Sequence, residues 1–247
     1  METPAIVVED LTIGWGDFIL MRNVNFEIPA GDTFVILGGS GCGKSSLLYH
    51  LIGLQPPKAG RIHIEGVGIP DIMQAHRPGY GVMFQSGALF GSMTLLENVS
   101  LPLRKWTDLP LPAIRAVAEA RLELVALGGF ENHLPAEISG GMKKRAAIAR
   151  ALALEPSLLF LDEPSAGLDP VSAVELDDLL LTLNESLGVT IVLVTHELES
   201  IFKIGKRCVM LDKAAQGIIA RGDPRELRDT STDPTVRRFF NREPRAN

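Results

Sequence analysis

The chemically most specific stretch of the sequence is Gly38-Gly39-Ser40-Gly41-Cys42-Gly43-Lys44-Ser45-Ser46. It fits the pattern Gly-x-x-x-x-Gly-Lys-[Ser/Thr], with the apolar run Phe34-Val35-Ile36-Leu37 before it and an amphipathic run from Ser46 to Leu54 after it. Small residues there let successive backbone N–H groups converge on a phosphate, and a following helix aims its positive end at the same charge. Lys44 then supplies a cation for the β- and γ-phosphates and Ser45 a hydroxyl for Mg²⁺. An ordinary glycine turn between strand and helix is the plainer alternative, and the strand before with the helix after favours a nucleoside triphosphate.

Four further residues suit hydrolysis of a γ-phosphate, which needs a metal held, a water oriented and a leaving charge neutralised. Asp162 closes the apolar run Leu158-Leu159-Phe160-Leu161 and suits a Mg²⁺ shell. Glu163, one residue on, points elsewhere and is placed to polarise the attacking water. Gln85, at the end of the strand-like Tyr80 to Phe84, can touch both metal and water, and His196 can hold the γ-phosphate. A solvated strand end is the bland reading of Asp162 and Glu163.

The elements that must position these groups are legible from periodicity. Ala5 to Ile28 alternates apolar and polar residues around Gly14 to Asp17, which predicts an antiparallel hairpin beside the phosphate-binding strand. Trp15 in that turn is expected to stack on an adenine ring, with Phe18 its competitor and a hairpin tip over the core the alternative. Gly60 to Ile69 reads as another short strand. Thr94 to Leu154 reads as mainly helical, broken by Pro102, Pro110, Pro112 and Pro135. Within it Leu111 to Leu127 is a helix stopped by Gly128-Gly129. A helix over about Val171 to Leu187 follows the Asp162 strand, and Thr190 to Thr195 is a buried strand leading to His196 and a short helix from Glu197. Strands ending at Gly38, Asp162 and His196 belong on one edge of a parallel sheet, where α/β folds bind ligands.

Composition sets the outer limits. The 247 residues carry 46% hydrophobic and 22% charged side chains, which places the chain among folded globular proteins. The net charge of −6 gives no general footprint for nucleic acid, and none is expected as a partner. From Lys203 onward 11 basic residues face 6 acidic ones, without the tight cluster of an anionic-lipid patch. Cys42 and Cys208 have no metal or disulfide spacing, so a reducing compartment is expected. Cys42 reads chiefly as a small core-facing residue, with a redox-sensitive thiolate the alternative. No apolar run reaches the ~18 residues of a membrane span, and no leader pattern opens the sequence, so a cytoplasmic location is expected.

Ile138-Ser139-Gly140-Gly141-Met142-Lys143 opens a helix about twenty residues before Asp162. This resembles the signature of the ATP-binding cassette (ABC) ATPases, whose usual form is Leu-Ser-Gly-Gly-Gln. The resemblance takes in Trp15, the phosphate loop, Gln85, Ser139 to Met142, Asp162-Glu163, Ser165-Ala166-Gly167-Leu168-Asp169 and His196, in family order. It implies an α/β P-loop fold: a RecA-like, mainly parallel sheet core, an antiparallel β subdomain and an inserted helical subdomain. It implies a single nucleotide-binding domain over 1–247, with the helical subdomain at about 86–155 and a C-terminal tail at about 229–247. ATP and Mg²⁺ are the implied cofactors, and Asp169 the implied D-loop residue. The signature of one subunit would cap the ATP of another in a head-to-tail dimer, using Ser139 and the N–H groups of Gly140 and Gly141. Met142 in place of the usual glutamine removes one side-chain hydrogen bond and leaves the backbone anion site.

Met142 together with Phe84 to Phe90, Asn98 to Arg104 and Asp233 to Phe240 is similar to the ATPase subunits of Mla/Mce-type lipid transporters. That similarity implies a membrane permease as partner, a periplasmic Mce-type lipid-binding subunit beyond it, and a place on the inner face of the inner membrane. Ser86 to Phe90 is small and apolar where a loop is usually polar, which suggests a docking surface. The tail would reach the partner ATPase through Val236, Phe239 and Phe240, with a frayed terminus the alternative. Transport of another small solute, or a soluble ABC ATPase outside transport, are the competing functions.

Overall fold

The computed structural model describes residues 3–71 and 77–242. The chain opens with β1 (Pro4–Trp15), β2 (Phe18–Pro29), β3 (Thr33–Gly38), α1 (Lys44–Leu51) and β4 (Ala59–Ile64). Next come β5 (Gly81–Met83), α2 (Leu95–Trp106), α3 (Leu111–Leu124), α4 (Gly140–Ala151), β6 (Leu158–Asp162) and α5 (Pro170–Leu187). It closes with β7 (Thr190–Val194), α6 (Leu198–Ile204), β8 (Arg207–Asp212), β9 (Gly217–Gly222), α7 (Pro224–Thr230) and α8 (Pro234–Asn241). These fall into two compact units, Met1–Ala75 with Thr190–Asn247, and His76–Val189.

In the first unit β3 is central, and all six of its residues are buried. It pairs in parallel with β7 on one side and β8 on the other, and β9 adds an antiparallel edge to β8. A strand covered on both faces must be apolar throughout, which is why Phe34 to Leu37 and Ile191 to Val194 show no alternation. Because β3 and β7 run parallel, the phosphate loop and His196 leave the sheet at the same edge.

The hairpin forms as expected, with its turn at Gly16-Asp17, yet it does not extend the β3 sheet. It pairs with β4 in a separate antiparallel sheet of order β2-β1-β4. Alternation explains this placement: Val24, Phe26 and Ile28 are buried while Asn25 and Glu27 between them are exposed, so one face of the hairpin lies on a core. Phe26 lies flat on Phe34 of β3, with ring centroids 5.6 Å apart. The strand expected over Gly60 to Ile69 stops at Ile64, which bridges back to Gly68 through a turn.

At the C-terminus, Asp233 accepts hydrogen bonds from Thr235 N–H and Val236 N–H and so starts α8. Val236 is fully buried and Phe240 nearly so, with Phe240 packed on Phe202 of α6 at 5.6 Å. The tail is therefore neither a frayed end nor an uncovered face: its two most apolar contacts are taken up within its own chain. Residues 243–247 of the expected tail lie outside the described residues.

In the second unit β5 and β6 pair in parallel, and α2, α3 and α4 pack on one another. Thr94 and Glu97 form a reciprocal capping box at the start of α2. Pro102 does not break this helix. It removes one ladder hydrogen bond, and the buried stripe of Leu95, Val99 and Leu103 holds the helix through it. Pro110 and Pro112 instead sit at the start of α3, where a missing N–H costs nothing. α3 ends at Leu124, short of the expected Gly128-Gly129, because the chain turns at left-handed Ala126 to bury Val125 and Leu127.

Docking of α8 on its own unit is measurable. Phe240→Ala should lower the unfolding free energy by about 2–4 kcal/mol, near the low end because the site is close to a terminus. Chemical denaturation of the purified chain reads this, and an unchanged midpoint would show that the tail is not part of the folded unit.

Candidate nucleotide site

The phosphate loop is shaped by three glycines whose backbone other residues cannot copy. Gly38 has φ +146°, and a Cβ there would stand 2.8 Å from Cys42 Sγ and collide with the Leu211 carbonyl. Gly41 and Gly43 have φ +72° and +99°, and a Cβ on Gly43 would press on Leu20 Cδ2 at 2.8 Å. Gly43 is the N-cap of α1 and offers no side chain to close it, so the positive helix end is left to the backbone. Lys44 Nζ donates to the Gly38 carbonyl at 2.9 Å and the Gly39 carbonyl at 3.2 Å, which stations its charge over the loop. Ser40 and Gly41 are exposed, and Ser45 and Ser46 are half-buried.

Cys42 faces the core with 3% exposure. Burial pushes its thiol above the usual range, against a smaller opposing pull from Lys44. This supports the core-facing reading over a thiolate switch. Trp15 and Phe18 are both about half exposed at the hairpin tip, with near-parallel rings 6.2 Å apart. The two candidates for base stacking thus form one flat aromatic pair. His196 is exposed, its Nε2 3.5 Å from Glu197 Oε1.

In the second unit, parallel β5 and β6 send Gln85 and Asp162-Glu163 off the same edge. Asp162 and Glu163 are 2% and 8% exposed, so they are not a solvated strand end. Glu163 has φ +46°, a left-handed conformation that is uncommon outside glycine. Ser139 caps α4, its Oγ accepting from Met142 N–H at 3.3 Å. Ser139 and Gly140 are exposed, so this helix N-terminus opens to solvent. Asp169 caps α5: Oδ1 accepts from Val171 N–H and Ser172 N–H, and Oδ2 from Ser172 Oγ at 2.6 Å. The Ser172 bond is the chief reason its carboxyl titrates below the usual range.

Sequence reasoning missed three residues that hold the Gln85 loop. Buried Lys144 donates to the Gln85 carbonyl, Arg150 donates to the Gly87 and Ala88 carbonyls, and Asn98 bonds both N–H and C=O of Phe90. α4 carries four basic residues, Lys143, Lys144, Arg145 and Arg150, and nothing in their spacing marks Lys144 and Arg150, whose targets lie about sixty residues away.

Comparison with known proteins shows the family. The family model described as ABC transporter matches residues 21–166. The chain is 42% identical to the "Probable ribonucleotide transport ATP-binding protein mkl" of Mycobacterium leprae (strain TN) over 241 residues, 96% of this chain and 69% of that one. About a third of that relative therefore has no counterpart here. It is 38% identical to the "Intermembrane phospholipid transport system ATP-binding protein MlaF" of Escherichia coli (strain K12) over 237 residues, 94% of this chain and 87% of that one. Among solved structures, the dimeric post-hydrolysis state of the ATP-binding cassette MJ0796 bound to ADP and Pi superposes with a TM-score of 0.76. It is 31% identical and covers 88% of this chain and 98% of that chain.

Burial makes a prediction about both thiols. Cys208 is pushed up to about 12, and a raised pKa means less thiolate at any lower pH, hence less attack on a disulfide reagent. Native protein at pH 8 should show almost no reaction with an aromatic disulfide reagent, and denatured protein should show both thiols. Rapid native reaction of Cys42 with loss of ATPase activity would restore the redox reading.

Proposed function

This chain belongs to the ABC transporter family as an ATP-hydrolysing subunit, and on that premise we propose that it drives phospholipid, or a related lipid, between membranes. The observation that carries the lipid reading is the 38% identity to the phospholipid-transport relative, which this chain matches over 87% of that relative's length. Ser139 to Met142 and Phe84 to Phe90 support it as well. The mycobacterial relative is named for ribonucleotide transport and is 42% identical, which favours a polar solute as the second reading.

The residues divide the chemistry as follows in this proposal. The backbone of Gly38 to Gly43 and Lys44 Nζ bind the β- and γ-phosphates of ATP, and the Trp15 and Phe18 pair receives the adenine. Glu163 polarises the attacking water, a role worth on the order of 10²–10⁴ in rate. His196 holds the γ-phosphate. Ser45, Gln85 and Asp162 would hold Mg²⁺: all three present oxygen, as a hard cation requires, and only Asp162 brings charge, which suits an ion that keeps water and substrate phosphates as its other ligands. When bound, the ion neutralises charge developing on the phosphates.

A second copy supplies Ser139, Gly140 and Gly141 to complete each ATP site, with Asp169 at the D-loop, in the head-to-tail dimer. No described helix is long and apolar enough to cross a membrane. The proposal pairs this subunit with a separate permease on the cytoplasmic face of the inner membrane, with a periplasmic Mce-type lipid carrier beyond. Phe90, 55% exposed beside Gln85, is the apolar contact that passes motion to the permease. ATP holds the dimer closed through the γ-phosphate, and hydrolysis removes the differential affinity for that state.

Two outcomes follow. Lys44→Ala should lose ATP binding and with it ATP-driven dimerisation, read by light scattering; a variant that still dimerises on ATP would break the link between loop and closure. Glu163→Gln should lower kcat by roughly 10²–10⁴-fold. In vesicles carrying the permease it should stop transfer of a labelled phospholipid while leaving ATP bound. Equal lipid transfer by that variant, or transfer of a labelled ribonucleotide in place of lipid by the unaltered protein, would overturn the proposal.

A further inference from the structure

The signature helix α4 carries two cations on the side away from its exposed N-terminus. Lys144 is 8% exposed, among the buried residues Ala146 to Ala149. Its Nζ donates to the Gln85 carbonyl and, at 3.3 Å, to the Glu163 carbonyl. Arg150, further along α4, donates to the Ala88 carbonyl at 2.7 Å and the Gly87 carbonyl at 2.9 Å. Three of these four targets share a feature. Gly87, Ala88 and Glu163 have φ of +75°, +48° and +46°, all left-handed, and each gives its carbonyl to one of the two cations. At Ala88 and Glu163 the α4 cations thus hold non-glycine peptides in a sparsely populated conformation.

We propose that Lys144 is a positioning residue for ATP hydrolysis: it fixes the peptides carrying Gln85 and Glu163 relative to the signature helix. One ammonium holds both carbonyls, so neither peptide can rotate without breaking a charge-assisted bond. Burial pushes the Lys144 ammonium below the usual lysine range, against a smaller opposing pull from the Asp162 and Glu163 carboxylates. Ser139 begins the same helix just over one turn earlier, so the group offered to another copy's nucleotide and the group holding Glu163 belong to one rigid rod. The inference rests on Glu163 as the water-polarising group, as proposed above.

Steady-state ATP hydrolysis by the purified full chain tests this through a double-mutant cycle. Lys144→Met should lower kcat by about 10–100-fold with KM within about twofold, the pattern of an interaction that matters in the transition state. Lys144→Arg, which keeps the charge and donors, should restore kcat to within about threefold of the unaltered protein. Added to Glu163→Gln, Lys144→Met should cost several-fold less than it does alone, because the part of its effect that runs through Glu163 is already removed and only the part through Gln85 remains. An unchanged kcat, a loss confined to KM, or the same full loss in both backgrounds would overturn the proposal. Should Lys144→Met fail to fold by circular dichroism, Lys144→Gln carries the same cycle with a shorter donor. If Glu163→Gln alone keeps full kcat, the assignment of Glu163 fails and this inference with it. If Glu163→Gln is slow and Lys144→Met fast, only this inference falls.

Discussion

Backbone amides can surround a phosphate only where no Cβ stands in the way, and at Gly38 that restriction is absolute. A side chain there would meet the Leu211 carbonyl and Cys42 Sγ, and φ is +146°. A glycine so placed costs roughly 0.5–1 kcal/mol in chain entropy relative to alanine. Burial of Ile36 and Leu37 just before it, each worth about 1.5–3 kcal/mol, outweighs that cost. β7 and β8 pair on either side of β3 and fix where the loop begins, while Leu20 and Met21 close on Gly43 and fix where α1 begins. The first unit's sheet, hairpin and helix can each be understood as a clamp on one end of that loop.

The second unit holds left-handed backbone at residues other than glycine as well as at Gly87. Ala88 and Glu163 are left-handed and keep their Cβ atoms, at a strain on the order of 1–3 kcal/mol each. A hydrogen bond to a charged donor contributes about 1.5–3 kcal/mol, the same size, so Lys144 and Arg150 suffice to hold conformations that the local sequence disfavours. Glutamate at 163 cannot be exchanged for glycine without losing its carboxylate. That is why strain at this position is offset from outside.

Most of the first unit was legible because its determinants are local. The phosphate loop, the unbroken apolar runs of β3 and β7, and the hairpin turn are written in consecutive residues, and the parallel edge carrying Gly38 and His196 follows from them. What escaped the sequence is tertiary. Pro102 looked like a helix stop, and the buried stripe of α2 overrides it. The hairpin, read as packed beside β3, packs there through Phe26, from a sheet of its own. Of Val236, Phe239 and Phe240, read as a face for another subunit, Val236 and Phe240 are buried within the chain, Phe240 against Phe202, and Phe239 stays half-buried. The grip of α4 on the Gln85 loop left no local mark at all, since a lysine within a helix reads as solvated until its carbonyl partners are known.

The substitution of methionine in the signature now has a physical reading. Met142 contributes its N–H to Ser139 Oγ, a bond that any residue at 142 can make, so the cap of α4 is indifferent to the side chain. What the exposed N-terminus presents at Ser139 and Gly140 is the helix backbone and its dipole, and these are unaltered. Lys144 lies five residues beyond Ser139, roughly 7.5 Å along the axis at about 1.5 Å per residue. Over so short a length a helix moves as one body. A shift imposed at its solvent end must reach the Gln85 and Glu163 carbonyls through Lys144, whichever side chain stands at 142.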